Sequence, residues 1–170
     1  MKKVFLGLGS NLGDRAKNLD EAKIRIETSI GKIVAASSVY QTEPWGFKSE
    51  NDFLNMAICV ETNLNPSGLL GRILMIESEM GRIRCEDQLS SREIDIDILL
   101  YDNEIVNEAA LIIPHPRIHE RKFVLVPLCE IGSEVVHPVM NQTIESLLKS
   151  CTDSSKVIRY PQSYSSLSQK

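Results

Sequence analysis

Apolar and polar positions along the chain fall into blocks whose period changes, and each change marks an element. Residues 3–9 form a short apolar run ending in glycine, the pattern of a buried strand. Gly9-Ser10-Asn11-Leu12-Gly13-Asp14 is turn chemistry, and the Asp14 carboxylate suits the first free amides of a helix. Leu19, Ala22, Ile26 and Ile30 then recur on one helical face. Residues 32–40, rich in Val, Ile and Ser, read as a strand, and 41–51, with Pro44 and Gly46, as a loop. A third strand over 53–62 is a candidate partner for the second. Pro66 opens a helix that runs to about Met80 and is closed by Gly81. A polar loop over 81–92 precedes a strand at 94–101, an Asp102-Asn103 hairpin turn and a return strand over 104–106. Residues 122–131 read as a short helix interrupted by Pro127, and 143–149 as another.

The order strand, helix, strand, strand, helix, strand is the split βαβ order. It predicts an α+β fold, a ferredoxin-like α/β sandwich with a mainly antiparallel sheet and helices packed on it. One domain over 1–160 is expected, with 161–170, rich in Ser and Gln, as a frayed tail. The 170 residues are enough for a single core, and 42% hydrophobic with 25% charged residues is an ordinary globular balance.

Charge and cysteine usage narrow the function classes. Nineteen basic against 23 acidic residues give a net charge of −4, which disfavours a dedicated nucleic-acid surface. No apolar stretch approaches the roughly 20 residues of a membrane span. The start, Met1-Lys2-Lys3 followed by the five residues 4–8, is too short for a signal-peptide core, so a cytoplasmic location is expected. Cysteines 59, 85, 129 and 151 form no Cys-x-x-Cys pair, which favours thiols in a reducing compartment over disulfides or zinc.

The richest segment is Arg92-Glu93-Ile94-Asp95-Ile96-Asp97-Ile98. On a strand Asp95 and Asp97 share one face, with Ile94, Ile96 and Ile98 on the other. Two carboxylates roughly 7 Å apart repel unless a cation lies between them, and magnesium suits all-oxygen ligands. A solvated polar face of an edge strand is the alternative. Around the pair the sequence gathers Arg82, Arg84, Arg92, His115, Arg117 and Arg121, whose guanidinium forks match phosphate oxygens. Glu77 falls on an otherwise apolar stripe, Leu70, Ile73, Leu74, Glu77 and Met80, either reaching solvent at the helix end or facing a cleft.

A second constellation suits a flat ring. Thr42, Glu43, Pro44, Trp45 and Gly46 form a loop, and Phe53 and Asn55 share a strand face, an aromatic plate beside an amide that both donates and accepts. Phe123 is a candidate second plate, with core packing the alternative for each phenylalanine. The series Gly7-x-Gly9-x-x-x-Gly13 is one residue too long for a dinucleotide fingerprint and reads as a tight structural turn.

These segments together resemble the 6-hydroxymethyl-7,8-dihydropterin pyrophosphokinases of folate biosynthesis. The resemblance runs through residues 4–11, 38–44, 53–55, 76–77, 81–84, 92–99 and 114–117. It implies transfer of the β,γ-diphosphate of ATP to a hydroxymethylpterin, with AMP leaving and two Mg2+ ions at Asp95 and Asp97. Arg82 and Arg92 would be catalytic beside the acids. Glu77, Arg84, Ile98, His115 and Arg121 would meet the nucleotide, Ile98 as a wall of the adenine pocket. Thr42, Pro44, Trp45, Phe53, Asn55 and Phe123 would form the pterin pocket. The chain is expected to act as a monomer on small molecules, without nucleic acid or membrane. Its loop Gln88-Leu89-Ser90-Ser91-Arg92 keeps only the last arginine of the family pattern, so an indole lid and a loop cation are missing.

Three other classes remain in play. A nucleotidyltransferase would also use Asp-x-Asp, a ligand-sensing module would bind without consuming ATP, and a nicotinamide oxidoreductase would use the glycines.

Overall fold

The structure, a computed structural model, describes residues 1–43, 52–81 and 93–161. Its elements run in the order β1 (Lys2–Ser10), α1 (Arg15–Ser29), β2 (Gly31–Ala36), β3 (Tyr40–Thr42), β4 (Phe53–Thr62), α2 (Pro66–Glu79) and β5 (Asp95–Tyr101). There follow β6 (Val106–Glu108), β7 (Leu111–Ile113), α3 (Lys122–Gly132), α4 (Ile144–Ser150) and β8 (Val157–Arg159). The large sheet has the order β5-β1-β4-β3-β8, with β2 also on β4, and every pairing is antiparallel. The α+β sandwich with a mainly antiparallel sheet is therefore the architecture of the chain.

Local chemistry explains most element ends. Asp14 caps α1 by accepting from the Lys17 amide at 3.2 Å, and Asn65 caps α2 by accepting from the Gly68 amide at 2.8 Å. Gly81 leaves α2 at φ 90°, a conformation that favours glycine. Thr143 caps α4 through the Ser146 amide.

Four expectations need correction. The strand expected over 32–40 is two strands, because Ser37 takes over the ladder: its Oγ accepts from the Ala57 amide at 2.9 Å and donates to the Ser38 carbonyl at 2.7 Å. The return strand over 104–106 does not pair with β5. The chain turns at Asp102 (φ 48°) and β6 pairs with β7 in a separate two-stranded sheet. One carbonyl of β5, that of Leu99, is instead met by the His115 amide at 3.0 Å. Pro127 does not interrupt α3, since burial of Leu125, Pro127 and Leu128 outweighs the missing amide. The buried stripe of α2 centres on Leu69, Ile73, Ile76 and Met80, one position back from the expected one, with Glu77 on its flank.

The sheet has two differently dressed faces. Val4, Leu6 and Leu8 of β1, Leu54, Met56, Ile58 and Val60 of β4, and Ile96 and Ile98 of β5 pack beneath α1 and α2. The other face carries Phe5, Ala57, Cys59, Leu99 and Leu100, covered by Leu125 and Leu128 of α3 and Ile144 and Leu147 of α4. A register shift between Phe5 and Leu6, pairing Phe5 with Leu100 but Leu6 with Ile98, turns Leu99 and Leu100 to the same side. The covering helices reach only one end of this second face. Among the described residues, the other end is left open.

Candidate active site

At that open end β1 contributes Gly7 and Gly9, β4 contributes Phe53 and Asn55, and β5 contributes Asp95 and Asp97. Strand alternation places all six on one face, and all six line an open cleft of about 710 Å³. Register sets the order across the floor: Gly9 is flanked by Asn55 on one side and Asp95 on the other, and Gly7 by Ala57 and Asp97. Gly7 and Gly9 are strand residues, as the apolar run 3–9 predicts, and keep the floor low between the amide and the acid pair, while Gly13 (φ 66°) sits in the turn that follows. A Cβ on Gly9 would sit 2.9 Å from Asn55 Oδ1, whereas one on Gly7 would meet Leu99 at an ordinary 3.5 Å. Alternating glycines on the face that carries Asp95 and Asn55 were the available signal in the sequence.

The walls come from the neighbouring elements. Thr42 closes one side from β3, paired in register with Phe53. Arg121, Phe123, Val124 and Pro127 close the other from the first turns of α3. The apolar pair Val124 and Pro127 escaped the sequence reading because Pro127 looks like a break rather than a lining group. Asn55 and Thr42 are 8% and 3% exposed. The Asn55 amide nitrogen donates to Thr42 Oγ1 at 2.7 Å, which leaves its carbonyl oxygen beside Gly9. The amide is thus held in one orientation.

Electrostatics concentrate at the acid end. Burial lowers the pKa of the Arg121 guanidinium, opposed chiefly by the attraction of Asp97 and, more weakly, of Asp95. An arginine still stays charged. Its guanidinium carbon lies 5.7 Å from the centre of the Phe123 ring, so one short segment presents a cation to the acids and an aromatic face to the rest of the cleft. Burial, reinforced by Arg121, pushes the His115 pKa down to about 4. His115 Nδ1 accepts the Arg117 amide at 3.2 Å, which places the ring proton of the neutral imidazole on Nε2.

The residues singled out from the sequence divide three ways. Asp95, Asp97, Arg121, Thr42, Phe53, Asn55 and Phe123 come together in the cleft. His115 stands close enough to feel Asp95 and Arg121, but it lines a neighbouring, shallower groove with His119, His137 and Met140. Two further side chains lie outside the described lining of the cleft. Ile98 is 6% exposed and packs in the core beneath the helices, because alternation turns it away from Asp97. Glu77 is 3% exposed on α2, so it does not reach solvent, and it is not among the described residues that line the cleft floor. Arg82, Arg84, Arg92, Pro44 and Trp45 lie outside the described residues, as does the tail 162–170.

A floor with two carboxylates near a guanidinium, continuous with a cleft lined by Phe53 and Phe123, fits a class: a small α+β phosphotransferase that handles a polyphosphate beside a flat acceptor. The comparisons with known proteins make the family specific. A model of the 7,8-dihydro-6-hydroxymethylpterin-pyrophosphokinase family matches residues 5–133. A 2-amino-4-hydroxy-6-hydroxymethyldihydropteridine pyrophosphokinase of Methylorubrum extorquens is 44% identical over 137 residues, 80% of this chain and 86% of that protein. The Bacillus subtilis protein of the same name is 43% identical, over 78% of this chain and 79% of its own. The folic acid synthesis protein fol1 of Pneumocystis carinii is 40% identical over 88% of this chain, which spans only 20% of that longer protein. Among solved structures, a Plasmodium falciparum HPPK-DHPS superimposes with a TM-score of 0.69 at 19% identity, over 87% of this chain and 44% of that one. The chain belongs to the 7,8-dihydro-6-hydroxymethylpterin-pyrophosphokinase family.

Proposed function

We propose that the cleft transfers the β,γ-diphosphate of ATP to the hydroxymethyl group of 6-hydroxymethyl-7,8-dihydropterin in folate biosynthesis, releasing AMP. The observation that carries this reading is the continuity of the floor: Asn55, Gly9 and Asp95 are neighbours across three adjacent strands. A ring lying on Gly9 between Phe53 and Phe123 would have its edge against the Asn55 amide and its exocyclic carbon toward the acids. Transfer is in line: the hydroxymethyl oxygen bonds to the β-phosphorus as the bond from that phosphorus to the AMP oxygen breaks.

Positioning and charge carry most of the rate in such reactions. The Phe53 and Phe123 rings hold the acceptor flat, and Asn55, fixed by Thr42, reads its edge with one carbonyl and one remaining N–H. Arg121 stabilises charge on the transferred group. His115, uncharged near neutrality, offers its Nε2–H as a neutral donor beside the acids. Arg82, Arg84 and Arg92 supply further phosphate contacts, while Pro44 and Trp45 complete the pterin pocket.

The donor set fits Mg2+. Asp95 and Asp97 provide adjacent hard oxygens, and no third His, Cys, Asp or Glu joins them among the described residues, which leaves positions for phosphate and water. Asp95 and Asp97 would hold two ions, whose chemistry is to neutralise the triphosphate and polarise its phosphorus centres. The substrates are small molecules. No helix among the described residues is long and apolar enough to cross a membrane. We read the chain as a cytoplasmic monomer with a single domain over 1–160.

Product analysis tests the reading. Purified protein with ATP, magnesium and the reduced hydroxymethylpterin should give AMP and pterin diphosphate in equal amounts. Pyrophosphate release would indicate a nucleotidyltransferase, and ligand binding without ATP consumption a sensing module.

A further inference from the structure

The chain that follows α4 crosses from one wall of the cleft to the other. Asp153 Oδ2 accepts the backbone amide of Lys122 at 3.0 Å. Lys122 is the first residue of α3 and sits between Arg121 and Phe123, the two groups that this helix aims into the cleft. Arg121, in the capping position, makes no side-chain cap bond of its own. Asp153 therefore caps α3 from outside the helix, where a carboxylate is also favoured by the helix dipole. Its other oxygen is held by Ser155, through the amide at 2.9 Å and the hydroxyl at 2.5 Å.

Four residues beyond Asp153 the same segment becomes β8, which pairs Val157 with Thr42, Ile158 with Gln41 and Arg159 with Tyr40. Thr42 is the residue that orients Asn55. One stretch of chain, 153–159, thus ties the start of α3 to β3 on the opposite side of the cleft. Neither Asp153 nor Val157 is itself among the residues that line the cleft.

We propose that Asp153 is a positioning residue for the transfer reaction, setting the separation of the Arg121–Phe123 wall from the Thr42–Asn55 wall through the Lys122 amide. The role rests on the reading of the cleft given above. Without the carboxylate the first turn of α3 keeps its helical bonds but loses its fixed distance from β3. Because misplacement by an ångström is enough to slow a positioned reaction, the loss falls on catalysis rather than on folding alone.

The two ends of the bond can be removed separately. Asp153→Ala deletes the acceptor. Lys122→Pro deletes the donor while suiting the backbone, because proline is favoured at a helix's first position and Arg121 before it is already extended (φ −118°, ψ 103°). Each change should raise KM for the pterin about tenfold, with a smaller fall in kcat. The double variant should be no worse than the poorer single one, because both remove the same bond. Lys122→Ala, which keeps the amide, should behave as wild type.

Amide hydrogen exchange at 123–125 should rise in both singles, a readout that needs no turnover. Unchanged pterin KM in the singles, or effects that add in the double, would overturn the proposal. If Asp153→Ala fails to fold, Lys122→Pro against Lys122→Ala decides alone. If the wild type makes no pterin diphosphate, the functional reading fails while exchange still judges the brace.

Discussion

Replacing Gly9 by alanine is the sharpest perturbation the floor allows. The new methyl would stand 2.9 Å from Asn55 Oδ1, closer than real Cβ contacts come, and 3.6 Å from the Phe53 ring. Asn55 cannot easily yield, because its nitrogen is bonded to Thr42 at 2.7 Å and it is 8% exposed. Moving the amide would sacrifice a buried hydrogen bond, about 1 kcal/mol, and crowding a packed site costs about 1–3 kcal/mol. Against this, alanine in a strand gains roughly 0.5–1 kcal/mol over glycine. Net stability should therefore fall by about 1–3.5 kcal/mol, with a separate effect on the ligand. A raised floor and a displaced amide together should weaken pterin binding by about 10- to 100-fold, the range of one to two lost contacts. Gly7→Ala is the internal control: its methyl meets Leu99 at 3.5 Å, an ordinary contact, and it should change pterin affinity less than about threefold. Calorimetric titration of both variants with the pterin, beside urea unfolding curves, separates the two effects. Equal affinities for the two variants would refute the view of Gly9 as the seat of the ring.

Other outcomes follow from the same geometry. Asp97→Asn keeps shape but removes one charge from the acid pair, and turnover should drop by more than about 100-fold with the fold intact by circular dichroism; near-normal turnover would remove the acid pair from the reaction. His115, with a pKa near 4 in the folded chain and an ordinary one near 6.5 when unfolded, stabilises the fold fully above pH 6.5 and progressively less as pH falls toward 4. Urea unfolding at pH 7 and pH 4.5 should show His115→Gln losing about 2–3 kcal/mol less than wild type over that interval, and identical losses would contradict the burial argument. Glu130, on the surface, accepts from the Ser38 amide at 2.9 Å, Ser38 Oγ at 2.7 Å and Tyr40 Oη at 2.9 Å. Glu130→Ala should lower stability by about 1–2 kcal/mol, discounted for exposure, without changing kcat/KM.

The parts of the site legible in the sequence are those fixed by strand period and by single residues. Alternation alone puts Asp95 and Asp97 on one face and Phe53 with Asn55 on another strand's matching face. The same rule puts Ile98 on the opposite face, where the structure packs it in the core. What hid the floor was pairing: a strand over residues 3–9 does not say which neighbours flank the face that Gly7 and Gly9 leave empty. The Ser37 break and the Leu99–Leu100 bulge were illegible because both depend on partners in other strands, Ala57 and Phe5. The β6–β7 pairing replaced a plausible hairpin for a similar reason, since the local turn at Asp102 does not specify which strand receives the returning chain. Asp153 and Ser155 look like ordinary polar linker residues until α3 is docked beside them.

A crystal structure of the chain with the hydroxymethylpterin and a non-hydrolysable ATP analogue tests the cleft most directly. The ring should lie over Gly9 between Phe53 and Phe123, with its exocyclic carbon directed toward Asp95 and Asp97 and the triphosphate against Arg121. A ring bound instead in the groove of His119 and His137, or a triphosphate distant from the two aspartates, would contradict the account.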